Sequence, residues 1–116
     1  MIIDCHTHLN QYTPDGLSKL LTAAGDDGVG VFIDESVSAE NAREVVAVAN
    51  EREGIYCGVA TMPWFIDTWA DTDLETFAEL IQTNDKIVCV GECGCNILPV
   101  RMTTGLCSQP RGFLDG

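Results

Sequence analysis

Four short apolar runs punctuate this chain, and between them lie three stretches whose apolar residues recur at helical spacing. The first run opens at Met1-Ile2-Ile3 and reads as a short buried strand. Thr13-Pro14 supplies an N-cap and a proline for the first helical position, predicting a helix through about residue 24 that Gly25 stops. Residues 28–34 form the second apolar run, with a polar exit at Asp34. Ser38 then caps a helix over about 39–52, in which Ala42, Val45, Val46 and Ala49 share one face. Gly54 ends it, and residues 55–60 make a third strand. A loop over 61–71 holds Trp64, Phe65 and Trp69, aromatics that could line a pocket, form a contact patch or cap a core. Thr72 and Glu75 have capping-box spacing, and Leu74, Phe77, Ala78 and Ile81 give the next helix its apolar stripe. Residues 86–92 are the fourth strand.

The order β-α-β-α-β-α-β predicts an α/β fold with parallel strands joined by helical crossovers. After Asn96 neither period continues, so 1–96 reads as the folded unit and 97–116 as an irregular C-terminal tail. With 46% apolar residues in 116, the chain can bury one modest core. No run approaches the ~20 apolar residues of a membrane span, and the N-terminus has no basic, export-type start. A cytoplasmic location without membrane partners is the expectation.

Charge narrows the partners. Eighteen acidic against six basic residues give a net charge of −12, which opposes binding a polyanion through Lys and Arg alone. A phosphate-bearing substrate would need bound metal to supply positive field. Cys5, Cys57, Cys89, Cys93, Cys95 and Cys107 make an even number, but several fall in strand-like runs, and reduced thiols are expected. The crowded Cys89, Cys93 and Cys95 could instead hold zinc or a cluster, although their spacing lacks a C-x2-C pair.

The densest chemistry is His6-Thr7-His8. Side chains on a strand repeat with period 2, so both imidazoles leave on one side, about 7 Å apart at Cα. Two neutral imidazoles aimed into one space can hold a divalent metal. Glu92 closes an otherwise apolar strand, where a carboxylate is costly to bury unless paired or metal-bound. All three would lie at strand C-termini, the face on which α/β barrels carry their chemistry.

Asp4-Cys5-His6-Thr7-His8-Leu9-Asn10, together with Val90-Gly91-Glu92-Cys93-Gly94-Cys95-Asn96, resembles the TatD-type metal-dependent hydrolases of the amidohydrolase superfamily. The resemblance covers 1–96 and implies the N-terminal half of a TIM (β/α)8 barrel, since a whole barrel needs ~250 residues. It implies one or two divalent ions (zinc, magnesium or manganese), with His6 and His8 binding one and Glu92 binding or bridging. It further implies hydrolysis of ester bonds, including phosphodiesters at nucleic-acid ends. Asn96 and Cys95 depart from the family's aspartate and leucine, and Thr61-Met62-Pro63 replaces a histidine-bearing segment. The family's later ligands fall beyond strand four, while His6 and His8 are the chain's only histidines. No catalytic base is therefore assigned. Two alternatives stay open: another H-x-H amidohydrolase or phosphoesterase acting on a small molecule, and a truncated, non-catalytic half-barrel that binds metal or a partner chain; self-association through the open sheet is expected of the half-barrel.

Overall fold

In the computed structural model, residues 1–94 are described; the expected tail at 97–116, and with it Cys95, Asn96 and Cys107, lies outside them. Four strands and three helices alternate: β1 (Ile2–Thr7), α1 (Pro14–Asp26), β2 (Val29–Glu35), α2 (Ala39–Glu51), β3 (Ile55–Gly58), α3 (Asp73–Thr83) and β4 (Ile87–Cys89). The strands form one parallel sheet in the order β1-β2-β3-β4. Local chemistry sets the helix starts as expected. The Thr13 hydroxyl accepts from Gly16 N–H, and the Ser38 hydroxyl accepts from Asn41 N–H.

The core lies between the sheet and the helices. Leu17 from α1, Ala42, Val45 and Ala49 from α2, and Phe77 and Leu80 from α3 close over Phe32, Ile55 and Cys57. Burying a side chain such as Ile55 contributes roughly 1.5–3 kcal/mol. The opposite face of the sheet is open. Ile3 and Val88 are about half exposed, at 50% and 51%, which corrects the reading of β1 as a buried strand. β1 is an edge strand, and among the described residues no second layer covers that face.

Other departures have local causes. α1 runs through Gly25 to Asp26, and the chain turns at Gly28, whose φ of +88° suits a residue without Cβ. Thr72 makes no capping bond; the Asp73 carboxylate accepts from Ala70 N–H instead, so the predicted box does not form. Within the 61–71 loop, Pro63–Thr68 winds into a 3-10 helix. Trp69 packs one side on Phe77, with ring centroids 6.3 Å apart, yet like Trp64 and Phe65 it stays exposed. Leu80 rather than Leu74 or Ile81 is buried from α3. Those two instead line an open apolar hollow of about 500 Å³ beside Trp69 and Val90. β3 ends at Gly58 and β4 at Cys89, two register partners, so Glu92 stands three residues past its strand rather than closing it.

Candidate metal centre

Two irregularities shape the pairing of β1 with β2: Ile2 and Ile3 are in register with Val29 and Val31, which leaves Gly30 over, and the second lies beside the histidines. Asp4 is in register with Phe32 and Thr7 with Asp34, so two residues of β1 oppose the single Ile33 of β2. Such a bulge carries one surplus residue and re-aims the side chains after it. Phe32 and Asp34 are buried on the helix side, which places Thr7 there too and leaves His6 and His8 on the open side. The period-2 expectation for the pair holds, and the bulge offsets the extra residue, Gly30, that β2 carries earlier in the pairing.

One contact orients the His8 ring, and two more hold its chain neighbours. Its Nδ1 lies 3.0 Å from the Glu35 carbonyl oxygen. A carbonyl only accepts, so Nδ1 carries the proton and the neutral ring keeps its lone pair on Nε2. The chain then enters a 3-10 turn at Leu9–Gln11, whose first amide, Leu9 N–H, donates to Asp34 Oδ1 at 2.6 Å. The Thr7 hydroxyl donates to the Ile33 carbonyl at 3.0 Å. The backbone on both sides of His8 is thus tied to β2.

Glu92 completes the group. Its Oε2 lies 3.2 Å from His6 Nε2 and 3.8 Å from His8 Nε2, and the two rings meet edge to face with centroids 5.2 Å apart. One ligand atom from each of His6, His8 and Glu92 falls within 4.8 Å of the others. This is the single such group among the described residues, and neither Cys89 nor Cys93 belongs to it. The four described cysteines are free thiols. Burial pushes Cys57 up to about 12; burial, with the Glu35 carboxylate beside it, pushes Cys89 up to about 11. Neither is a thiolate nucleophile near neutral pH.

Polar groups without partners gather at this end of the sheet. Among the described residues, the buried side-chain atoms lacking a hydrogen bond are Asp34 Oδ2, Glu35 Oε2, Thr61 Oγ1 and Glu92 Oε2. All four follow or end β2, β3 and β4 at their carboxyl termini. Orphaned buried oxygens are uncommon, so each calls for its own explanation. Glu92 Oε2, facing two imidazole nitrogens yet accepting no hydrogen bond, fits a cation ligand. Asp34, fully buried, has its carboxyl raised from 3.8 to about 6, because burial outweighs the Leu9 amide bond and the nearby His8. From sequence Asp34 reads as a polar exit from β2, and Glu35 is a residue that reading misses. Two carboxylates closing an apolar strand were the available signal.

Comparison with known proteins bears on the family and the fold. The profile of a family described as TatD related DNase matches residues 3–105. An uncharacterized metal-dependent hydrolase, YjjV of Escherichia coli K12, is 30% identical over 98 residues. That match covers 82% of this chain and 38% of YjjV, so the chain spans well under half of its relative's length. The crystal structure of YjjV, a TatD homolog, superposes with a TM-score of 0.73 at 29% identity, over 84% of this chain and 38% of that one.

Proposed function

This chain belongs to the TatD related DNase family of metal-dependent hydrolases, and from that premise we propose that His6, His8 and Glu92 hold a divalent ion that serves ester hydrolysis. The observation that carries the reading is the meeting of three ligand atoms within 4.8 Å at the carboxyl end of a parallel sheet. A divalent ion in such a site supplies Lewis acidity and a nucleophile from water at neutral pH. His8 presents Nε2 because the Glu35 carbonyl holds the proton on Nδ1. Glu92 adds negative charge, and its Oε2, beside both imidazoles, accepts no hydrogen bond that would compete with a cation.

The substrate proposed is a phosphodiester at a nucleic-acid end. The net charge of −12 makes the bound cation the main attraction for such an anion. The second reading, metal binding without turnover, is favoured by the chain's having two histidines only, both already in the site.

Zinc or manganese titration by calorimetry tests the site. Wild type should bind, and H6A/H8A and E92Q should each bind at least tenfold more weakly. Equal binding by all three would remove the metal from this place. Turnover on DNA ends, phosphomonoesters and small amides, compared with E92Q, then separates the hydrolase classes. Absence of turnover with metal bound selects the second reading. In the described residues no further acid or histidine joins the three ligands, so turnover by the 116-residue chain should be slow or nil.

A further inference from the structure

The ligands come from opposite edges of the sheet, β1 and the segment after β4, and one residue on β2 touches both sides. Glu35 is buried, with 6% of its surface exposed. Its main-chain oxygen accepts from His8 Nδ1. Its side chain passes over β3, and it can do so because its register partner there is Gly58. A Cβ at position 58 would fall 2.0 Å from Glu35 Oε2 and 2.7 Å from Cys89 Sγ, so any side chain would block the path. On the far side the carboxylate meets the end of β4. Cys89 Sγ–H donates to Oε1 at 3.4 Å, and a Cβ built on Gly91 would stand 3.1 Å from Oε2. Gly91 is bonded to Glu92.

We infer that Glu35 is a positioning residue, whose side chain spans Gly58 to set Glu92 against the histidine pair. The inference rests on the proposed metal centre. It makes reach, rather than charge, the property that matters. Glu35 Oε2 is packed against main chain and accepts no hydrogen bond, so it acts here as a strut. Removing support behind a metal ligand typically costs 10–100-fold in metal affinity.

The test titrates Co²⁺ into the full chain, reading affinity and the visible ligand-field spectrum. E35D keeps the carboxylate but shortens the side chain by one methylene, and it should bind about tenfold more weakly with an altered spectrum. G58A should do the same by displacing the carboxylate, and E35D carries the test if G58A fails to fold. E35Q keeps the length and should stay within about twofold of wild type. In an E92Q background the loss caused by E35D should disappear, since residues acting through one another are not additive. Full affinity in E35D with a loss in E35Q would make charge the operative property and overturn the inference. An E35D loss undiminished in the E92Q background would also overturn it, because Glu35 would then act elsewhere. H6A/H8A binding Co²⁺ as well as wild type would instead bring down the metal centre itself.

Discussion

Replacing Asp34 by asparagine should make the metal-free protein more stable at neutral pH and leave it nearly unchanged in mild acid. The side chain has no exposed surface, and its carboxyl is raised from 3.8 to about 6 by burial. The folded state therefore holds this proton more tightly than the unfolded chain does. Between those two values the folded form binds more protons, so stability falls as pH rises through the window. Below about pH 3.8 both states are protonated and the carboxyl costs nothing. Above about 6 the full penalty applies. At ~1.4 kcal/mol per pH unit, the shift corresponds to roughly 3 kcal/mol, an upper figure if the site relaxes. Asparagine keeps an oxygen for Leu9 N–H and never ionises, so D34N escapes the penalty. Urea unfolding followed by circular dichroism at pH 4, 5, 6 and 7.5 measures the difference between the two proteins directly. D34N should gain from near zero at pH 4 to about 2–3 kcal/mol at pH 7.5. A difference that stays flat with pH would show that Asp34 does not titrate in this window. A difference of opposite sign would show that its charge is stabilised where it lies.

Two further outcomes can be measured on the same material. G54A forces a Cβ into a residue with φ +75° and to 2.7 Å from the Gly30 carbonyl oxygen. It should cost at least about 2 kcal/mol in urea unfolding, and a neutral result would mean the turn between α2 and β3 has slack. The open face carrying Ile3 and Val88 should make the chain associate as concentration rises, limited by its −12 charge; light scattering showing a constant monomer mass would refute this.

The element order was legible because each helix carries its own start signal and each strand its own apolar run. Thr13 and Ser38 cap as their positions suggest. The meeting of His6, His8 and Glu92 was legible through strand polarity, since parallel strands bring their carboxyl ends to one side. What stayed hidden depended on neighbours distant in sequence. Gly58 reads as an ordinary turn-prone residue until Glu35 is seen crossing it. Thr72 and Glu75 have the spacing of a cap, yet Asp73 takes the loop amide instead. The exposure of β1 follows from what covers the sheet, which no local pattern encodes. Nor does periodicity show that β1 sets two residues, Cys5 and His6, against the single Ile33 of β2.

That surplus residue gives the first strand an uneven tolerance to changes in chain length. Cys5 is exposed, and among the described residues its thiol makes one long hydrogen bond, to the Ile3 carbonyl 4.0 Å away. Deleting it would let Asp4, His6 and Thr7 oppose Phe32, Ile33 and Asp34 one for one, with both imidazoles still facing the open side. Adding a residue at the same point would require a second bulge or turn the pair toward the helices. The metal centre can thus survive a shorter strand more readily than a longer one, and loss of a codon there would be a gentler event than its gain.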